Sequence, residues 1–244
     1  MVYSVVLLVG VILGTLMQLS ASVCCRDREH INVFRCENCN EKLDARGFIP
    51  VIGYGITKGR CSTCNKNTIS FSIVDEVLSG ICLVILYIQF GMSVEFIIYS
   101  LFTLVLIAIT YVDFKIYEIP IIFNIIICIL GIFNGIINLS DWKEYVIGFF
   151  AMSLPIYLLI QITGGRAMGG GDAKLLATAG LLLGWKLIIL SFFLACILGA
   201  IIHSIRIKLS NESHELAFGP YLALGMFIAL MWGDGMIGWY LSLI

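Results

Sequence analysis

The stretch "SVEFIIYSLFTLVLIAITYVDFKIYEIP", residues 93–120, indicates the class of the protein, because a long apolar run ends at an aspartate. The apolar part, residues 94–112, has the length of a helix that crosses a hydrocarbon layer about 30 Å thick. The whole chain of 244 residues is 60% hydrophobic and only 13% charged, with a mean hydropathy of +1.01. This composition excludes an ordinary water-soluble domain and predicts an all-α polytopic membrane protein.

Seven further apolar runs resemble this one in length and composition. The eight predicted transmembrane helices cover residues 2–24, 73–91, 94–112, 119–138, 145–163, 168–185, 187–205 and 217–240. The first run lacks a basic n-region and a small-residue cleavage site, so we do not expect a cleavable signal peptide. The net charge of −1 gives no sign of a nucleic-acid partner, and we predict none.

The distribution of basic residues predicts the orientation of these helices. With the N-terminus placed outside, only Lys143 and Lys186 of the 15 Lys and Arg residues lie outside. The other 13 fall in the inside segments 25–72, 113–118, 164–174 and 206–216. This positive-inside bias predicts that both termini lie outside and that the long 25–72 segment is cytoplasmic. The predicted domains are a first helix (1–24), a cytoplasmic tetracysteine loop (25–72) and a seven-helix membrane core (73–244).

The cytoplasmic loop contains two C-x2-C pairs, "CENC" at 36–39 and "CSTC" at 61–64. Their spacing is typical of a zinc ribbon, in which four thiolates form a closed tetrahedral site. We therefore predict a structural Zn²⁺ bound by Cys36, Cys39, Cys61 and Cys64. A reducing cytosol disfavours the alternative of disulfides. A loop this short builds little hydrophobic core, so the metal is expected to supply folding free energy.

Two aspartates lie at cytoplasmic ends of predicted helices. Asp113 ends the third helix, and Asp172 follows three glycines at the start of the sixth, in "MGGGDAKLLATAGLLLGW" at 168–185. Two neighbouring carboxyl groups share a proton, so one can activate water while the other protonates a carbonyl oxygen. Gly169, Gly170 and Gly171 lack Cβ atoms and would let an extended peptide approach. We expect Gly171→Val to reduce turnover more than Gly180→Val, since position 180 is expected to serve helix packing.

Each aspartate also has a purely structural interpretation. Asp172 would be a good N-cap for its helix, and Asp113 could be a solvated helix end beside Lys115. His203 and His214 lie eleven residues apart, which is not a typical spacing for metal ligands. The combination of two aspartates on one side with a glycine run favours a catalytic interpretation over a structural one.

These motifs resemble those of bacterial type IV prepilin peptidases, which belong to the GxGD intramembrane aspartyl proteases. The similar segments are "GGGDAKLLATAGLLLGW" (169–185), "DFKIYEIP" (113–120), "FIPVIGY" (48–54), "KGRC" (58–61), "EVLSG" (76–80) and "FGPYLALG" (218–225). The resemblance implies that Asp113 and Asp172 form a catalytic dyad in the bacterial plasma membrane. It also implies that the enzyme cleaves basic leaders from prepilin-like substrates at the cytoplasmic face, among membrane lipids. S-adenosylmethionine is implied as the methyl donor for a second activity, N-methylation of the product.

The N-terminal region departs from the family pattern. The family reads close to "GSFLNVVIYRLP", whereas this chain reads "GTLMQLSASVCCRDREH", with Gln18 in place of the asparagine and without Arg-x-Pro. The tyrosine and proline usual before Glu76 are replaced by "SIVD". Glu76 matches a family glutamate and is a candidate cofactor-binding residue, although a helix-start role fits it equally. Because methyl transfer is linked to this region, we expect efficient leader cleavage and weak or absent methylation.

Two other classes of function fit some of these features. A proton-coupled transporter or channel also places acidic residues in the membrane, but it usually shows internal repeats, and none is found here. A non-enzymatic assembly scaffold could use the cysteine loop to bind cytosolic proteins. Loss of leader cleavage in an aspartate variant would argue against both alternatives.

Overall fold

The computed structural model describes residues 1–29, 36, 39, 41, 60–61, 63–66, 73–166, 168–210 and 217–243. These residues contain nine α-helices and no β-strand, which confirms the predicted all-α class. The helices are α1 (Val2–Glu29), α2 (Ile73–Phe90), α3 (Val94–Ile116), α4 (Ile121–Ile137), α5 (Trp142–Ala151), α6 (Ser153–Thr163), α7 (Gly170–Leu183), α8 (Trp185–Ser210) and α9 (Gly219–Leu241). Most of the 25–72 loop, including "FIPVIGY", lies outside the described residues, as does His214.

Among the described residues, five segments are long and apolar enough to cross a membrane: Val2–Val23, Val94–Ile116, Leu139–Thr163, Trp185–Ile205 and Gly219–Leu241. The Ile121–Ile137 helix is apolar but shorter. Its isoleucines at 121, 122, 125, 129, 132, 136 and 137 and Phe133 are all largely exposed. Such a surface suits contact with lipid, and the chain is a multi-pass membrane protein. The count of eight spans stays a prediction.

The chain forms two compact units, Met1–Val112 and Asp113–Ile244. In the first unit α1 packs closely on α2. A Cβ atom on Gly10 would lie only 2.8 Å from Gly80 Cα, and one on Gly14 would lie 2.5 Å from Ser79 Oγ. Small residues at a helix crossing are the usual means by which membrane helices approach each other. The predicted division into loop and membrane core stays a prediction.

In the second unit, one predicted transmembrane helix is broken in the middle. Leu139–Thr163 consists of a short 3-10 turn followed by α5 and α6, which are separated at Met152. Pro155 explains the break, because proline cannot donate to the carbonyl four residues earlier, here that of Ala151, and its ring clashes with that carbonyl. Helical bonding resumes when Ile156 N–H donates to Met152 O at 3.1 Å.

The helix α7 lies at the centre of the second unit. It has only 14 residues, about 21 Å at the α-helical rise, and packs against α4, α5, α6 and α8. Nine of its residues are buried, among them Asp172 and Gly180. This protein-lined environment, rather than lipid, accommodates a helix too short to span a bilayer alone.

A close approach of α5 and α7 depends on Gly148 and Gly180. A Cβ atom on either glycine would overlap the backbone carbonyl oxygen of the other. The packing role expected for Gly180 is confirmed. The sequence predicts a smaller loss for Gly180→Val than for Gly171→Val, but a side chain at position 180 would collide with the backbone of α5. At Gly171 an added Cβ would meet the side chain of Ile119 at 3.2 Å.

We predict that Gly180→Ala lowers the unfolding temperature of the detergent-solubilised protein by several degrees. The added methyl group must force α5 and α7 apart, and such overpacking costs about 1–3 kcal/mol. Gly238→Ala on α9 is the matched control, because no atom lies within 4 Å of its added Cβ. Equal unfolding temperatures for the two variants would contradict the proposed role of this contact.

Candidate functional site

Asp113 lies near the end of α3 and is 4% exposed. The helix ends just after it, where Tyr117 adopts a left-handed conformation with φ of 52° and donates its N–H to Asp113 O at 3.0 Å. A left-handed residue after the last turn reverses the chain and is uncommon for tyrosine. This turn leads to Ile119 and Pro120, which precede α4.

The Asp113 carboxylate is held by the start of α9. The backbone N–H of Gly219 donates to Asp113 Oδ2 at 2.8 Å. Gly219 is the first residue of α9, and the N–H groups of a first helical turn have no partner within their own helix. A Cβ atom on residue 219 would lie 2.8 Å from the same oxygen, so only glycine fits without displacement.

Asp172 is the third residue of α7 and is 9% exposed. The N-cap is Gly169 rather than Asp172, which corrects the structural interpretation drawn from the sequence. The Asp172 carboxylate lies beside the backbone of this N-cap residue, as acidic residues at the third position of a helix often do. The carboxyl groups of Asp172 and Asp113 are close enough for their charges to interact.

The three glycines have different surroundings. Gly169 is extended, with φ of −74° and ψ of 145°, and a Cβ atom there would lie 3.3 Å from Asp172 Oδ2. Gly170 is exposed, and a Cβ atom added to it would have no atom within 4 Å, whereas one added to Gly171 would contact Ile119. The space beside Asp172 is therefore open on the side of Gly170 and filled on the side of Gly171.

The four predicted metal ligands converge in the first unit. The Sγ atoms of Cys36, Cys39, Cys61 and Cys64 all lie within 4.8 Å of one another. The Cys36–Cys64 and Cys39–Cys61 sulfur distances are 3.5 and 3.7 Å. Tetrahedral coordination at about 2.3 Å places sulfurs about 3.8 Å apart, so the four thiols could hold a metal ion.

The first cysteine of each C-x2-C pair makes an equivalent backbone hydrogen bond. Cys36 N–H donates to Glu41 O at 2.9 Å, and Cys61 N–H donates to Lys66 O at 3.0 Å. Backbone N–H groups of Cys64 and Thr63 lower the pKa of the Cys61 thiol to about 6, which favours its thiolate form. The pKa of the Cys39 thiol is raised instead: the Glu41 backbone N–H lowers it, but burial and the other three thiols outweigh that effect. Asn65 has a positive φ of 56°, a conformation that asparagine tolerates.

Two residues from segments that depart from the family pattern, Gln18 and Asp75, form a hydrogen bond in the first unit. Gln18 Nε2 donates to Asp75 Oδ2 at 2.9 Å. Both line a cavity of about 10 Å³, together with Gly14, Ser79 and Tyr111. That volume suits about one water molecule. Glu76 is buried, with 4% exposed.

Gly219 is the residue whose role sequence reasoning misses. "FGPYLALG" is similar to a family segment, but from sequence Gly219 and Pro220 are expected only to form a turn or kink. A glycine that immediately precedes proline at a helix start is the available signal. The partner of its N–H, Asp113, is 106 residues away and cannot be identified from local sequence.

Comparison with known proteins is consistent with these features. Residues 100–204 match the Type IV leader peptidase family, and residues 8–90 match the Bacterial Peptidase A24 N-terminal domain. No solved structure matches the chain. The N-terminal match includes Gln18 and Asp75, so the departures at these positions occur within a recognisable domain.

Several curated relatives are similar over most of the chain. The Prepilin leader peptidase/N-methyltransferase of Aeromonas salmonicida is 32% identical over 226 residues, which cover 86% of this chain and 74% of the relative. The protein of the same name from Bacillus subtilis is 28% identical over 247 residues and covers 98% of both chains. That of Pseudomonas putida is 29% identical, covering 82% of this chain and 72% of the relative. The chain therefore belongs to the type IV leader peptidase family.

Proposed function

We propose that the protein is a membrane-embedded aspartyl endopeptidase that removes the leader peptides of type IV prepilin-like proteins, with Asp113 and Asp172 as its catalytic pair. The observation that carries the proposal is that these two buried carboxyl groups of the second unit lie close enough for their charges to interact. They come from helices separated by more than fifty residues. Neither a transporter nor a scaffold requires two interacting carboxyl groups next to the open space at Gly170.

The chemistry follows from a carboxyl pair that shares one proton. One carboxylate removes a proton from water, whose oxygen attacks the scissile carbonyl carbon, while the other carboxyl donates its proton to the carbonyl oxygen. The C–N bond then breaks as the leaving nitrogen takes a proton from the first carboxyl group. One hydroxyl of the tetrahedral intermediate returns its proton to the second carboxylate, which restores the singly protonated pair. The Gly219 N–H fixes the orientation of Asp113 throughout.

The glycines supply the approach for the substrate. An extended peptide has to bring its carbonyl group between the carboxyl groups, and the exposed Gly170 leaves room on that side. Asp113, Asp172 and Gly219 lie at the end of α3 and at the starts of α7 and α9. The positive-inside pattern predicts that these helix ends and the cysteine loop lie in the cytoplasm, with both termini outside. The substrate's leader peptide would then be cleaved at the cytoplasmic face.

The relatives carry N-methyltransferase in their names as well. In this chain the family's asparagine is replaced by Gln18, whose amide is engaged by Asp75. No step of methyl transfer is assigned to these residues. We therefore retain the expectation of weak methylation alongside efficient cleavage.

The metal held by the four cysteines is proposed to be a structural zinc ion. Four sulfur ligands at tetrahedral spacing suit Zn²⁺ and leave no position for a water molecule. The zinc would stabilise the two turns and take no part in peptide hydrolysis.

Asp113→Asn and Asp172→Asn are each expected to abolish cleavage of a purified prepilin, with normal expression and metal content. Asparagine has nearly the shape of aspartate, and at position 113 its amide oxygen can still accept from Gly219 N–H, so the fold is retained while proton transfer is lost. The double variant should be no worse than either single one, because the pair acts as a unit. Product mass gives the measurement, and Asp234→Asn at an exposed position of α9 is the control. Appreciable cleavage by either variant would remove that residue from the pair.

The same mass measurement tests methylation. We expect the mature product to appear mainly without the mass of an added methyl group when S-adenosylmethionine is supplied in excess. The physical reason is that, in the region linked to this activity, the Gln18 side-chain amide already donates a hydrogen bond to Asp75. Complete methylation at a rate comparable to cleavage would show that these substitutions are compatible with methyl transfer.

Cys36→Ser and Cys61→Ser are expected to reduce zinc content and to lower the unfolding temperature, since each removes one of four ligands. Cys196→Ser, at an exposed position on α8, should retain full zinc. Elemental analysis of the purified proteins measures the effect. A closed site also predicts that hydroxamates do not inhibit cleavage; rapid and reversible inhibition would overturn the structural assignment.

A further inference from the structure

A buried asparagine on α4 lacks hydrogen-bond partners. Asn124 is 4% exposed, and within the described part of the chain neither its Nδ2 nor its Oδ1 atom has a partner. A carboxamide offers two donors and an acceptor, and leaving them unpaired in the interior lowers stability. Such a group in a folded protein calls for an explanation.

Asn124 shares the face of α4 that packs on α7. The buried residues of α4 form one stripe: Phe123, Asn124, Ile127, Gly131 and Asn134. Further along this stripe, a Cβ atom on Gly131 would lie 3.1 Å from the carbonyl carbon of Leu181. Asn134 Nδ2 donates to Leu182 O at 3.2 Å. Two asparagines thus lie on one stripe, and only one of them is engaged by α7.

The level of Asn124 along α7 follows from the contacts at both ends. Ile119, just before α4, touches Gly171 near the start of α7, and Gly131 touches Leu181 near its end, so the helices run parallel. Seven residues before Gly131 and Leu181 are Asn124 and Lys174. Lys174 is two residues beyond Asp172, or about 3 Å along the helix axis. Asn124 therefore lies at about the level of Asp172 along the axis of α7, within one helical turn.

We propose that the Asn124 carboxamide binds a backbone peptide group of the substrate beside the scissile bond, an inference that rests on the proposed function. An extended peptide in an apolar environment has unpaired N–H and C=O groups that need partners. The carboxamide matches both, because Nδ2 donates to the peptide oxygen while Oδ1 accepts from the peptide N–H. Asn124 is thus a substrate-positioning residue that takes no part in proton transfer.

Asn124→Leu and Asn134→Leu test this role against a structural one. For the full-length protein in detergent, Asn124→Leu should leave the unfolding temperature unchanged or raise it, because it removes an unpaired buried amide. Its KM for a prepilin should rise about tenfold or more, the effect of one or two lost hydrogen bonds, with little change in kcat. Asn134→Leu should lower the unfolding temperature, since its amide is engaged.

A binding measurement separates affinity from turnover. In an Asp113→Asn background, adding Asn124→Leu should weaken binding of a labelled prepilin about tenfold. Unchanged KM and binding, or a fall in unfolding temperature matching that of Asn134→Leu, would overturn the inference while leaving the peptidase proposal intact. Wild-type protein that cleaves no prepilin would overturn both.

Discussion

The close approach of Gly148 and Gly180 determines where α7 can lie, and α7 determines where Asp172 lies. A 14-residue helix cannot satisfy a bilayer by itself, but four surrounding helices cover it. Asp172 lies in the first turn of α7, so the packing that holds this helix also holds Asp172 in a buried position near Asp113. The proposed reactive site thus depends on glycine contacts near the other end of the same helix.

Much of the fold is predictable because lipid imposes a simple requirement on sequence. Long apolar runs predict the helices near residues 2–24, 94–112 and 217–240 close to their observed positions. The interruption at Met152 is not predicted. A hydropathy average over about twenty residues is insensitive to a single proline, here Pro155, that lacks a backbone N–H. The apolar run at 168–185 is observed as the helix Gly170–Leu183, but its central burial depends on neighbours distant in the chain.

The candidate site is predictable only where residue type carries the information. Asp113, Asp172 and the four cysteines are found from their chemistry and spacing, and the structure brings the cysteines together. Gly219 and Asn124 are not found as site residues. A backbone N–H has no sequence signature, and a buried asparagine becomes informative only when its partners can be counted.

The hydrogen bond from Gly219 N–H to Asp113 Oδ2 has a consequence for recognition. One oxygen of this carboxylate is engaged before any substrate binds, so a substrate N–H that binds the same oxygen shares it with Gly219 and adds little net affinity. Selectivity among precursors must then arise away from the carboxylates. The apolar segment that follows the leader, which the membrane concentrates at the protein, is well suited to supply it.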